Sequence, residues 1–314
     1  MTEHKYYDRK WRVTINALNG RQFILSSEDG TEPLKVQFRV DNYMLKDGFW
    51  ALLTMYNLNP ETEGVMLTQG AEVTIEAGYQ HQPYGRIFKG QVFQPTIDRE
   101  NVVDFKVTLN CRDGLGVMEQ NFVNFAVAAG YDYRSVIAKM AASAHKGFEV
   151  GYVSDSVSDK TFPAGKVFFG DADDYMNRIA EDSGVFHYFS GGKWNLVGVD
   201  DAPTAADAVV IGPENGLIGT PQQTEFGVSF RCLMNPSIAI TAPMTVVKID
   251  ESVIIKQMKI TPGVKPPAVL ARDGQYKIVG VSYIGDSRGN DWYCDVTGIN
   301  LSGKVSQLFG YFPR

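Results

Sequence analysis

The sequence predicts a mainly β chain with a small α+β insert: two tube-like β-barrel or sandwich domains, 1–114 and 213–314, flank an α+β domain at 115–212. Three observations predict it. Apolar and polar side chains alternate with period two through the first and last thirds, the signature of half-buried strands. The period shifts toward 3.6 near Tyr133. The stretch Gly216 to Pro236 reads as a hinge, with a turn at Gly219 and Thr220-Pro221 before a strand in which Phe226, Val228, Phe230 and Cys232 share one face, ended by Asn235-Pro236.

In the first third, Trp11, Val13, Ile15 and Ala17 alternate with Arg12, Thr14 and Asn16, and Asn19-Gly20 is a hairpin signal leading into Phe23 to Leu25. Further strands are expected at Val36 to Val40, Phe49 to Leu58, Ala71 to Tyr79, Arg86 to Phe93 and Val102 to Cys111. A short helix is expected at Pro60 to Leu67, since proline is tolerated in a first helical turn, and Arg112-Asp113-Gly114 closes the unit.

In the insert, Asp132 caps a helix from Tyr133 to about His145 whose apolar face holds Val136, Ile137, Met140, Ala141 and Ala144. Asp171 caps a second, Ala172 to Ser183, with Asp173 and Asp174 in its positively polarised first turn and Gly184 at its end. A hairpin follows, Val185 to Ser190 turning at Gly191-Gly192 into Trp194 to Val199, and Asp200 to Asp207 reads as a linker. The last third offers strands at Thr245 to Ile249, Val253 to Ile260, Tyr276 to Ile284 and Trp292 to Leu301, with a proline-rich loop at Thr261 to Pro267. Gly90 and Gly280 lie in similar strands that precede Val107-Thr108 and Val296-Thr297, which suggests two copies of one β domain.

Composition narrows the function. The net charge of −6 sits in the middle third: 7 Lys+Arg against 14 Asp+Glu at 113–212, compared with 13 against 14 at 1–112 and 10 against 8 at 213–314. Duplex binding needs clustered cations, so it is not expected. No run of about 18 apolar residues and no apolar signal core occur, which predicts a soluble chain made in the cytosol with no stable membrane insertion. Cys111, Cys232 and Cys294 read as core thiols.

Catalytic motifs are missing. Gly280-Val-Ser282-Tyr-Ile284 ends in isoleucine where a nucleophile elbow needs glycine, and Gly191-Gly-Lys193-Trp194 lacks the glycine spacing and hydroxyl of a phosphate loop. Asp171, Asp173 and Asp174 cannot form a calcium loop with Tyr175 and Met176 at the ligand and glycine positions. His4, His81, His145 and His187 are too dispersed for zinc, and Glu181 and Asp182 point apart on a helix. No catalytic residue, cofactor or metal ligand is assigned, and the chain is not expected to be an enzyme.

Asn57-Leu58, Gly70 to Tyr79, Ile87-Phe-Lys-Gly90 and Asn110-Cys-Arg-Asp-Gly114 resemble the first domain of phage baseplate hub proteins of the gp27-like class, and Gly216 to Pro236 resembles the start of that family's second barrel. The resemblance covers most of the chain, and its motifs are structural. It implies a homotrimer at a tail tip, a virion component assembled in the host cytoplasm. Three chains would offer six similar β domains, an adaptor between a hexameric tail tube protein and a trimeric spike, beside other baseplate proteins. Type VI secretion spikes carry the same module fused to their spike; here, with the sequence ending at Gly310 to Arg314, the spike is expected on a separate polypeptide. A tail tube or tube-initiator protein is the alternative, and a tail-associated peptidoglycan hydrolase the second.

Overall fold

Strands dominate the structure, a computed structural model that describes residues 8–28, 33–44, 48–59, 62–64, 69–81, 83–115, 121–143, 149–158, 160–198, 201, 208–223, 227–241, 244–249 and 274–300. The first third supplies β1 (Arg9–Asn16), β2 (Gln22–Ser26), β3 (Val36–Tyr43), β4 (Phe49–Tyr56), β5 (Glu72–Tyr79), β6 (Tyr84–Arg99) and β7 (Phe105–Arg112). The middle supplies β8 (Phe122–Val127), α1 (Tyr133–Ser143), β9 (Glu149–Val153), α2 (Asp155–Ser158), β10 (Lys166–Asp171), α3 (Ala172–Ser183), β11 (Val185–Ser190) and β12 (Lys193–Gly198). The last third supplies β13 (Val209–Ile211), β14 (Leu217–Gln223), β15 (Gly227–Leu233), β16 (Val246–Ile249), β17 (Gln275–Asp286) and β18 (Trp292–Asn300). The fold is mainly β, as the period-two pattern requires. The expected strand at Val253 to Ile260, the loop at Thr261 to Pro267, Phe226 and Gly310 to Arg314 lie outside the described residues, as does most of Pro60 to Leu67, of which 62–64 are helical.

Thirteen strands form one sheet, in the order β14-β15-β18-β17-β3-β4-β7-β6-β5-β1-β2, with β16 on β17 and β13 on β16. The sheet is not closed into a barrel. Its first and last thirds meet where β3 pairs antiparallel with β17, from Tyr43 opposite Gly280 to Gln37 opposite Asp286. One core runs through both, from Val13, Leu53, Ile75 and Leu109 to Val228, Val281, Tyr283 and Val296. β6 changes partner along its length: Tyr84 to Gln91 pairs with β5, and from Gln91 onward it pairs with β7. The two leaves so produced share that core, and the Trp292 indole N–H tethers them by donating to Gly78 O at 3.2 Å.

Strand order repeats along the chain. β3-β4-β7-β6 in the first third matches β14-β15-β18-β17 in the last, with β5 added to β6 as β16 is added to β17. The match extends to register. One extra residue, Phe93 in β6 and Val279 in β17, forms a bulge opposite the neighbouring strand, and six residue pairs then lead to the hairpin turn in each case. Just before the bulge, Val92 N–H donates to Ala71 O and Ile278 N–H to Thr245 O, both at 2.9 Å. Gly90 and Gly280 are not equivalent in this frame: Gly90 lies three residues before its bulge and Gly280 one residue after. Similar local composition, with glycine at a close approach in each, produced that sequence match: a Cβ at Gly90 would approach the Arg112 carbonyl to 2.6 Å, and one at Gly280 the Tyr43 ring to 2.5 Å.

The turn expected at Gly219 to Pro221 is instead a bulge inside β14. Ile218 opposes Arg231 and Gln222 opposes Ser229, so four steps along β14 match two along β15, with Gly219 at φ 70°. Pro221 is tolerated because β14 is an edge strand among the described residues. β4 ends two residues before the expected Leu58, where Asn57 turns left-handed at φ 53°.

In the middle of the chain a second core joins Val123, Val136, Ile137, Met140, Phe168, Met176 and Ile179 with Trp194 and Leu196. Both helices start as expected, Ser135 N–H donating to Asp132 Oδ1 at 2.7 Å and Asp173 N–H to Asp171 Oδ1 at 2.8 Å. Gly184 ends α3 at φ 68°. The β11–β12 hairpin falls at the expected place, while β8, β9, β10 and β13 had no clear sequence signal.

Candidate functional site

Side chains with catalytic potential are spent on structure. Asp171 caps α3 and also accepts from Asn121 Nδ2 at 2.7 Å. On the same helix, Glu181 accepts from Asn177 Nδ2 and Asp182 from the Tyr133 hydroxyl. His187 is buried beside Asp173, Nε2 to Oδ1 3.7 Å. Cys111, Cys232 and Cys294 are buried free thiols, and burial pushes Cys111 up to about 12. Ser282 lies within the sheet, donating to Asp41, itself 1 % exposed and paired with Arg39 at 2.8 Å; the Tyr43 hydroxyl is 3.0 Å from Ser282 Oγ. These four residues pin β3 to β17. The alternation of Val36 to Val40 sets Asp41 on the polar side with Gln37 and Arg39, and its burial against β17 carried no signal in the sequence.

Among the described residues, the sheet has edges without a strand partner. Among the described residues Gln94 to Arg99 pair only with β7. The outward-facing groups can be assigned: Phe105 uses its N–H and C=O on Asn57, away from β6, so Arg99, Ile97 and Pro95, on the non-bonded pairs with β7, turn theirs outward. Pro95 has no N–H to offer, and Ile97 is 45 % exposed although it lies beside buried Val107. At the hairpin tip Val102 and Val103 are 86 % and 76 % exposed. At the far end of the sheet, among the described residues, β14 pairs only with β15, and Ile218 is 39 % exposed. Exposed edges of this kind are normally covered by another chain or blunted.

The face of the sheet opposite the core carries ion pairs. Arg39 pairs with Asp41, Lys106 with Asp98 at 3.6 Å, and Arg231 with Asp295 through two bonds of 2.7 and 2.8 Å. In the middle of the chain, the outer face of the β8–β10 ribbon exposes Phe122, Val167 and Phe169, while Tyr175 and Lys139 cap backbone groups at its edges.

A cavity of about 410 Å³ lies between the first third, the β11–β12 hairpin and residues 239–241, lined by Asn42, Phe49, Arg86, Asp113, Tyr188 and Lys193 among others. Asp113 joins the two parts. Its carboxylate accepts from Gly191 N–H at 2.7 Å, its own N–H donates to Phe49 O, and Phe49 stacks on Tyr188 with centroids 5.9 Å apart. Burial pushes Asp113 up to about 6, against the opposing effect of the Gly191 and Gly114 N–H donors and the Arg86 charge.

The family model described as baseplate hub gp41 matches residues 41–253. No curated protein matches the chain. Among solved structures, the chain is similar to the 43 kDa tail protein of prophage MuSo2 from Shewanella oneidensis, at 10% identity and a TM-score of 0.61, covering 93% of this chain and 98% of that one. It is similar to the E. coli c3393 protein, described as a type VI secretion component with structural similarity to T4 bacteriophage tail proteins gp27 and gp5, at 9% identity and TM-score 0.54, covering 91% and 78%. A third likeness is to a chain of the Francisella PdpA-VgrG complex, at 10% identity and TM-score 0.58, covering 99% of this chain and 61% of that one. At these identities the structural likenesses speak for the fold.

Proposed function

The chain belongs to the baseplate hub gp41 family, a phage tail structural family, and from that premise we propose that it is a trimeric symmetry adaptor joining a six-fold tail tube to a central spike. The observation that carries this reading is the repeated strand order: each chain holds two units with the same four-strand order, bulge and hairpin length. Three such chains offer six similar surfaces on one side and three-fold symmetry on the other, which a single-unit tube protein would need six copies to match. Exposed edges at Gln94 to Arg99 and on β14 fit an assembled state better than a lone monomer. The role is structural, without catalytic turnover, and the tail tube protein, the central spike and other baseplate proteins are the partners. The particle is a virion tail baseplate, put together in the host cytoplasm.

Light scattering of the purified chain at tens of micromolar tests this reading. A mass of three chains, with three-fold particles in electron micrographs, is the expected result. A stable monomer that binds no tail or spike protein would refute it.

A further inference from the structure

Resting on the hub reading, we propose that the joint between neighbouring copies repeats the joint already present inside the chain: Gln94 to Arg99 of one copy pairs antiparallel with β14 of the next. Inside the chain, β17 uses its outer edge to hold β3. β6 is the counterpart of β17 by strand order, bulge position and ladder length, and β14 the counterpart of β3 by strand order. The internal joint uses the β17 edge that carries Val279 and Ser287, since Met44 N–H donates to Val279 O and Ser287 N–H to Val36 O. The corresponding edge of β6 carries Phe93, Pro95, Ile97 and Arg99, the same edge that the Phe105–Asn57 bonds leave facing outward. Among the described residues each copy therefore offers one edge of each kind without a strand partner, a heterologous pair that makes a ring when its rotation closes and does not make a two-fold dimer.

Register follows by substitution. Counting from the bulges, Asp98 corresponds to Ile284, Ile97 to Tyr283 and Glu100 to Asp286; through the β4–β7 and β15–β18 ladders, Gln222 corresponds to Arg39, Gln223 to Val40 and Ile218 to Gln37. The internal pairs Arg39↔Ile284, Val40↔Tyr283 and Gln37↔Asp286 then place Gln222 opposite Asp98, Gln223 opposite Ile97 and Ile218 opposite Glu100. The tip at Val102 and Val103 takes the place of the 287–291 loop, which inside the chain docks on residues 33–36 through Ser287 and Arg288. That position covers its two exposed valines. The copy joint is weaker than the internal one by design: Pro95 lacks the donor that Val281 has, and the β14 bulge at Gly219 to Pro221 interrupts the edge.

Paired cysteines test the joint. Asp98 and Gln222 would form a non-bonded pair, where Cα atoms approach to about 4.5 Å, within disulfide reach. The variant Asp98→Cys with Gln222→Cys in one chain, treated with oxidised glutathione, is expected to give a covalent trimer on a non-reducing gel, about tenfold above either single variant. The mispaired Asp98→Cys with Ile218→Cys should stay near the single-variant level. A trimer by light scattering in which Asp98→Cys and Gln222→Cys do not cross-link overturns this joint and leaves the hub reading intact. A monomer overturns this joint, and the hub reading with it if the monomer also binds no tail or spike protein; a covalent ladder running past trimer overturns the three-fold closure.

Discussion

Asp113 gives a direct test of how the middle segment is fastened to the sheet. It is 7 % exposed, and burial raises its carboxyl from the ordinary 3.8 to about 6. A carboxyl raised on folding binds its proton more tightly in the folded state, so its stabilising contribution is complete below about 3.8 and is lost as pH rises through about 6. The gap corresponds to about 3 kcal/mol, of which about 2–3 kcal/mol is recovered between pH 7.5 and pH 4. Asp113→Asn removes the titration and keeps an oxygen to accept from Gly191 N–H. Urea unfolding followed by tryptophan fluorescence, at one protein concentration and several pH values, measures the difference between the two proteins. The wild type should gain on Asp113→Asn by that amount as pH falls. Parallel stability curves from pH 7.5 to pH 4 would refute the argument, because they would mean that the carboxyl is not desolvated in the folded protein.

Further expectations concern packing and caps. Gly114→Ala forces a Cβ onto the Phe189 ring at 2.4 Å with the backbone at φ 72°, and should cost about 1–3 kcal/mol in urea unfolding. Leu53→Ala, at a fully buried β4 position, should cost about 2–5 kcal/mol by the same measurement. Asp171→Ala removes the α3 cap and should cost about 1 kcal/mol, read as earlier loss of helical circular dichroism in a thermal melt. Arg231→Ala breaks an exposed pair with Asp295 and should change stability by less than about 1 kcal/mol.

Legibility in the sequence followed burial on one face. β1, β3, β4 and β5 were readable because each sets apolar side chains toward the core and polar ones toward water, as in Val36, Phe38 and Val40 against Gln37 and Arg39. Capped helices were readable for a local reason, since Asp171 and Gly184 act within one turn of their own position. β8 and β10 hid because the ribbon sets Phe122, Val167 and Phe169 on its solvent face, which erases the alternation. The far half of β6 hid because Pro95 and a run of exposed residues read as loop, although the ladder to β7 continues through them. Gly219 to Pro221 was misread for the opposite reason: turn chemistry is local, and only the pairing with β15 turns it into a bulge.

The duplication shows the limit most clearly. Phe93 and Val279 occupy one structural position, yet phenylalanine before Gln94-Pro95 and valine before Gly280 share no sequence pattern. What the two units preserve is the step at which a long strand leaves one leaf for the other, and a bulge imposes that step through backbone register with little demand on the side chain. Gly90 and Gly280 look alike in sequence because both relieve a close approach, Gly90 against the Arg112 carbonyl and Gly280 against the Tyr43 ring. Local need for glycine therefore recurs out of phase with the repeat. Equivalence between the units has to be traced through the ladders, and the same ladders connect the open edge of β6 to the occupied edge of β17.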